Sequence, residues 1–214
     1  MFEKVLGFLA RLWSVKTPWQ NVFSLEEPPD VIACVSYGLD QERRLTNFTS
    51  SVVNRAAILA RRFPRAVIVF GCAVFAPSSG VPDTSEEERA MKMTIFGNFE
   101  ISNKIIFAGP TLTTIDESER FRDALYANGI PPRRIIVVDG EAHSPSTRYV
   151  WQRGFPSAEI AFELVPFRCE TQPDHVMKLA RKPILWFGAN VARHTLLCLL
   201  GMNFVRRFVQ PASE

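Results

Sequence analysis

A three-layer α/β/α sandwich around a mainly parallel sheet of five strands is the fold this sequence predicts, on three observations. First, four short apolar runs end in glycine: Val31–Gly38 (VIACVSYG), Ala66–Gly71 (AVIVFG), Lys104–Gly109 (KIIFAG) and Arg134–Gly140 (RIIVVDG). Runs this short, rich in Val and Ile, have the composition of strands buried on both faces, as in a parallel sheet. Second, each of the first three is followed by a loop and a helix-period segment, and the fourth fits the same plan. Third, a β-rich run at 159–165 (EIAFELV) completes the series. Such a sheet is Rossmann-like, and ligands bind beyond the carboxyl ends of its strands. Glycine at those ends lets the chain turn sharply or lets backbone approach a ligand.

The elements follow in order. Residues 1–13 (MFEKVLGFLARLW) space Phe2, Val5, Leu6, Leu9, Leu12 and Trp13 as one face of a helix. The run is too short and too charged to span a bilayer. It reads as a helix covering the domain's own core, with peripheral contact to a membrane surface as the alternative. A linker closes at Glu26-Glu27-Pro28-Pro29, and Asp30 opens the core. The spacing predicts a helix over 47–63, capped by Asn47 or Thr49, with Val52, Val53, Ala56, Ile58 and Leu59 facing inward. A second strand at 66–70 leads to the longest irregular stretch, Cys72–Thr84, and loops of that length are often functional.

Ser85 opens the next helix, with Glu86, Glu87 and Glu88 in a first turn where negative charge suits the helix dipole. The third strand ends at Gly109, and a helix runs from Ile115 to Asn128 with Gly129 as its expected C-cap. The fourth strand, 134–138, runs into Asp139-Gly140-Glu141-Ala142-His143, and Ser144 or Ser146 caps a helix ending near Gly154. After the fifth strand the chain is mostly helical from Pro183. The segment Ile184–Val205 is apolar but broken by Asn190, Arg193 and His194, which favours a docked C-terminal helix over a membrane span. The organisation is thus an N-terminal helix and linker (1–29), an α/β core (30–165) and a C-terminal helical extension (166–214).

Composition narrows the function classes. The 214 residues are 47% hydrophobic and 22% charged, ordinary for a globular protein, and the formal net charge is only +3. The arginine pairs are scattered rather than gathered in one block, so a nucleic-acid partner is not expected. None of Cys34, Cys72, Cys169 and Cys198 lies in zinc-like spacing, so no metal site is expected. Cysteines inside or just past strands read as buried thiols of a cytoplasmic protein. Neither GxGxxG nor GxxxxGK[ST] occurs, nor a GxSxG elbow, which weighs against nucleotide cradles and a serine hydrolase.

The candidate site therefore lies at the strand ends: Ser36, Gly38, Gly71, Glu86, Glu87, Gly109, Thr114, Glu117, Asp139, His143 and Arg148. His143 reads either as a proton-transfer group or as a polar residue capping a helix. Glu86, Glu87 and Glu117 read as ligand-gripping carboxylates or as complements to helix dipoles. Arg55 and Arg148 are suited to phosphate or carboxylate, and Arg55, mid-helix, equally to a structural salt bridge. Cys72 is a nucleophile candidate by position only.

Six phrases in order resemble the YdcF/SanA/ElyC-like family of bacterial α/β proteins. They are Asp30-Val31-Ile32, Asn54-Arg55-Ala56, Val69-Phe70-Gly71-Cys72 followed by Ser85-Glu86-Glu87, Thr113-Thr114-Ile115-Asp116-Glu117, Gly129–Ile136, and His143-Ser144 with Arg148. The resemblance covers about residues 30–165. It departs where Cys72 replaces a second glycine, where Asp139-Gly140-Glu141-Ala142 replaces a Ser/Thr-rich lead, and where Ser146 replaces an arginine. It implies a small anionic or nucleotide-like ligand, with S-adenosylmethionine the ligand of some members, and a link to the cell envelope for others. It also raises His143 and Glu117 as catalytic candidates. The rival readings are a hydrolase or transferase acting on a phosphorylated or glycan precursor with His143 as acid/base, and a non-catalytic scaffold using its apolar terminal helices.

Overall fold

The computed structural model describes residues 2–40, 42–74, 83–166 and 182–209. Most of the Cys72–Thr84 loop, together with Cys169 and His175, lies outside them. Five strands, β1 (Val31–Cys34), β2 (Val67–Ala73), β3 (Ile105–Thr111), β4 (Arg134–Gly140) and β5 (Glu159–Val165), form one sheet of order β3-β2-β1-β4-β5. Every pairing is parallel. The all-apolar runs are explained by this placement, since every residue of β1 is buried and Ile135 through Gly140 of β4 likewise.

Helices α2 (Asn47–Arg62) and α3 (Ser85–Asn98) pack together against one face of the sheet, and α4 (Thr114–Ala127) and α5 (Ser144–Gly154) against the other. The change of face falls between β1 and β4, the two central strands. That is the switch point of an open α/β sheet, where the helices diverge and leave a crevice at the carboxyl ends. Two further helices, α1 (Phe2–Trp13) and α6 (Pro183–Val209), pack on each other, and α6 lies along α5. Among the described residues α6 contains the one stretch, Ile184–Val205, long and apolar enough to cross a membrane. Its inner side buries Asn190 and Leu197, and the helix is kinked at Gly201. Helix α1 buries Leu6 and Ala10 while Val5, Phe8 and Leu12 stay exposed.

The carboxyl ends of β1, β2 and β3 differ from the sequence expectation, for identifiable reasons. β1 stops at Cys34 instead of reaching Gly38, because the amides of Ser36 and Tyr37 leave the sheet. They donate to Glu117 Oε1 and Thr49 Oγ1, at 3.0 Å each. β2 and β3 instead run on past their glycines, pairing Cys72 with Pro110 and Ala73 with Thr111 after a register shift. Gly71 and Gly109 therefore sit inside strands. A Cβ on Gly71 would come within 3.0 Å of both Phe121 and Thr111, so its glycine serves packing.

Helix α2 is capped one residue earlier than expected. Thr46 accepts from the Thr49 amide, which frees Thr49 Oγ1 to bond Gly38 O and hold the turn after β1. At the opposite end of the sheet, the Asp30 carboxylate accepts the Arg133 and Arg134 amides at 2.9 Å, tying β1 to β4 far from the crevice.

Candidate functional site

The crevice at the switch point is a cavity of about 120 Å³. Ser36 and Tyr37 after β1, Thr111–Thr114 between β3 and α4, Glu117, and His143 after β4 line it, with Trp186 and Arg193 reaching in from α6. Five of the candidates read from the sequence meet here. Ser36, Thr114, Glu117 and His143 form the wall, and Asp139 lies directly behind His143.

At its centre is a chain of hydrogen bonds. His143 Nδ1 lies 3.0 Å from Asp139 Oδ1, and Nε2 lies 3.1 Å from Thr114 Oγ1. Asp139 Oδ1 also accepts the Tyr37 hydroxyl and, at 2.7 Å, the Gly140 amide. Burial opposes the charge on Asp139, but the attraction of His143 and the bonds from His143, Thr147 and Tyr37 outweigh it and hold the carboxyl below its usual value. The imidazole is pushed the other way: burial first, then the positive charge of Arg193, keep His143 neutral further down the pH scale than usual. An ionised Asp139 takes the Nδ1 proton as its hydrogen bond and leaves Nε2 an acceptor facing the Thr114 hydroxyl. His143 does occupy the N-cap position of α5, but its side chain makes no capping bond there and turns instead to Asp139 and Thr114.

Glu117 is buried, and burial pushes its carboxyl up to about 8 against the opposing bond from the Ser36 amide. It is therefore a neutral acid at pH 7, able to donate. Arg193 contributes the unusual element. As a residue it is partly exposed, yet its Nε and Nη2 are buried and have no hydrogen-bond partner among the described residues, while Nη1 reaches Thr114 Oγ1 at 3.5 Å. Buried charges are ordinarily paired, because leaving one unpaired costs several kcal/mol, on the order of a whole domain's margin.

Other candidates go elsewhere. Gly38, Gly71 and Gly109 do not line the cavity; Gly38 (φ 75°) makes the turn whose carbonyl Thr49 holds. Glu86 and Glu87 are exposed and pair with Arg89 and Arg43. The buried member of that run is Glu88, which accepts from Ser36 Oγ and the Ala73 amide and pairs with Lys92 Nζ at 2.6 Å. Arg148 lies on α5 outside the cavity; it is Thr147, four residues after His143, whose hydroxyl stands 3.0 Å from Nδ1. Arg55 takes the structural role, bonding Glu163 at 2.8 Å. Burial pushes the thiols of Cys34 and Cys72 up to about 12, so neither is a nucleophile.

The sequence reading missed Arg193 and Trp186. Its one signal was a lone arginine inside an apolar helical run, read there as evidence against a membrane span. Among the described residues no group of three His, Cys, Asp or Glu side chains is placed to hold a metal ion. Comparison of the chain with protein-family models, curated proteins and solved structures returned no match.

Proposed function

We propose that this protein binds a small anionic ligand in the switch-point crevice, with Arg193 as its charge partner and Thr114, His143 and neutral Glu117 as its polar contacts. The observation that carries the reading is the Arg193 guanidinium, whose Nε and Nη2 are buried beside the cavity without a hydrogen-bond partner among the described residues. A carboxylate or phosphate oxygen pairs with two such donors at once. The crevice also opens at the start of α4, where the helix dipole favours negative charge. S-adenosylmethionine, which the resemblance to YdcF-like proteins implies, offers a carboxylate for the same contact and belongs in the ligand panel. The test is calorimetric titration of the protein with inorganic phosphate, acetate and S-adenosylmethionine. Arg193→Gln weakens the bound ligand at least tenfold while the fold is retained; equal affinity in the variant sinks the reading.

The Thr114–His143–Asp139 chain favours a second reading, a hydrolase or transferase acting on a phosphorylated or glycan substrate. There Nε2 of His143 takes the proton of an attacking hydroxyl and returns it to the leaving oxygen, and Asp139 holds the ring in the required tautomer. His143→Ala then removes turnover of a phosphoester or glycan panel, a loss far larger than the weakening of phosphate binding that goes with one lost polar contact. A panel with no turnover by the intact protein leaves binding as the function.

A further inference from the structure

A second cavity, of about 130 Å³, adjoins the first and shares Leu112, Thr113, Thr114 and Arg193 with it. The rest of its lining is entirely aliphatic: Ile115 of α4, Val150 of α5, and Leu197 and Val205 of α6. An aliphatic lining favours apolar groups over water, and an enclosed apolar cavity of similar size accommodates a benzene ring. Arg193 and Thr114 thus stand at a boundary, with hydrogen-bonding groups on one side and hydrocarbon on the other. A ligand made only of polar groups leaves the aliphatic side unused. A purely apolar one leaves the guanidinium unpaired.

We propose that the ligand is an amphiphile, an anionic head carrying an aliphatic chain, with the head at Arg193, Thr114 and His143 and the chain among Ile115, Val150, Leu197 and Val205. This rests on the anion-binding reading above and adds the class of molecule to it. The shared chemistry is a phosphate or carboxylate on a hydrocarbon chain, and two probe series separate those heads. The volume of the second cavity matches about four to six methylene groups, by comparison with the benzene-sized case.

The experiment is calorimetry on the full chain with methyl, butyl, hexyl and octyl phosphate, and in parallel with acetate, butyrate, hexanoate and octanoate. In at least one series affinity rises roughly threefold to fourfold per methylene, as burial of a CH₂ group dictates, and then levels once the cavity is filled. Val205→Trp, which fills the cavity, flattens the rise. Leu197→Ala, which enlarges it, moves the plateau to longer chains, a change that loss of folding cannot imitate. If methyl phosphate or acetate binds and chain length adds nothing in either series, the amphiphile inference is overturned and the anion pocket stands. If 1-octanol binds as tightly as octyl phosphate, or no anion of any length binds, the anion reading itself fails.

Discussion

Two buried polar clusters flank the carboxyl end of β1, and they are built on opposite plans. The Glu88–Lys92 cluster is closed. Both side chains are fully buried, and Lys92 Nζ donates to Glu88 and, at 2.7 Å, to Gly71 O. Glu88 in turn accepts from Ser36 and Ala73, so each charge meets its complement within the protein. The Arg193–His143 cluster is open: its carboxylate, Asp139, is bonded by Tyr37, His143 and Gly140 at Oδ1 alone, and among the described residues neither its buried Oδ2 nor the buried Nε and Nη2 of the Arg193 guanidinium has a hydrogen-bond partner. A closed ion pair in low dielectric fixes structure. An open one holds a charge ready for something from outside. The same sheet edge supplies both, and Ser36 joins them, its hydroxyl on Glu88 and its amide on Glu117.

Substitutions that unbalance the closed cluster have the largest effect. Lys92→Met leaves Glu88 buried without its counter-charge and lowers unfolding free energy by about 3–5 kcal/mol in denaturant titration. The double variant Lys92→Met/Glu88→Leu recovers a large share, because it removes both charges rather than one. A double variant no more stable than the single shows that the pair is not the unit.

Next is Glu117, which joins the two clusters and titrates. Its carboxyl ordinarily loses its proton near 4.5 and in the fold near 8, so the folded state holds a proton that the unfolded state has released. The resulting stability is fully present below pH 4.5 and is lost as pH rises to about 8, a swing on the order of 5 kcal/mol. Glu117→Gln keeps an acceptor for the Ser36 amide and flattens that dependence in unfolding curves measured from pH 4.5 to 9. A slope unchanged by the substitution assigns the titration elsewhere.

Tyr37→Phe removes one of the bonds that satisfy the Asp139 carboxylate and costs about 1.5–3 kcal/mol. It leaves the aromatic packing on Phe48 in place. The smallest loss of stability belongs to Arg193→Leu. Removing a buried charge that has no hydrogen-bonded counter-ion among the described residues lowers unfolding free energy by no more than about 1 kcal/mol, or raises it, and on the proposed reading it abolishes anion binding. A large destabilisation instead makes Arg193 a structural residue and erases the contrast between the clusters.

The sheet was legible because parallel strands buried on both faces write themselves as apolar runs. Five positions of the site were legible for the related reason that loops after such strands share one edge. What the sequence could not reveal depends on rotation and on long-range placement. Glu86 and Glu87 differ from Glu88 by one or two residues, about 100° each around a helix, and only the third points inward. Arg148 and Thr147 differ by the same small step. Gly71 and Gly109 looked like loop glycines because nothing local announces a register shift that carries both strands two residues past them. Arg193 is separated from Thr114 by 79 positions in the chain, and its meeting with the crevice depends on where α6 docks.

That docking has a consequence of its own. The polar wall of the crevice belongs to the 30–165 core, but the cation and half the aliphatic lining arrive on a separate helix. The lining of the crevice is therefore modular. Chains that keep the same core and change only the register or face of the last helix would keep the Thr114–His143–Asp139 hydrogen-bond chain and present a different cavity. On the proposed reading, selection on the choice of ligand would fall on α6, outside the strand-end phrases of the core.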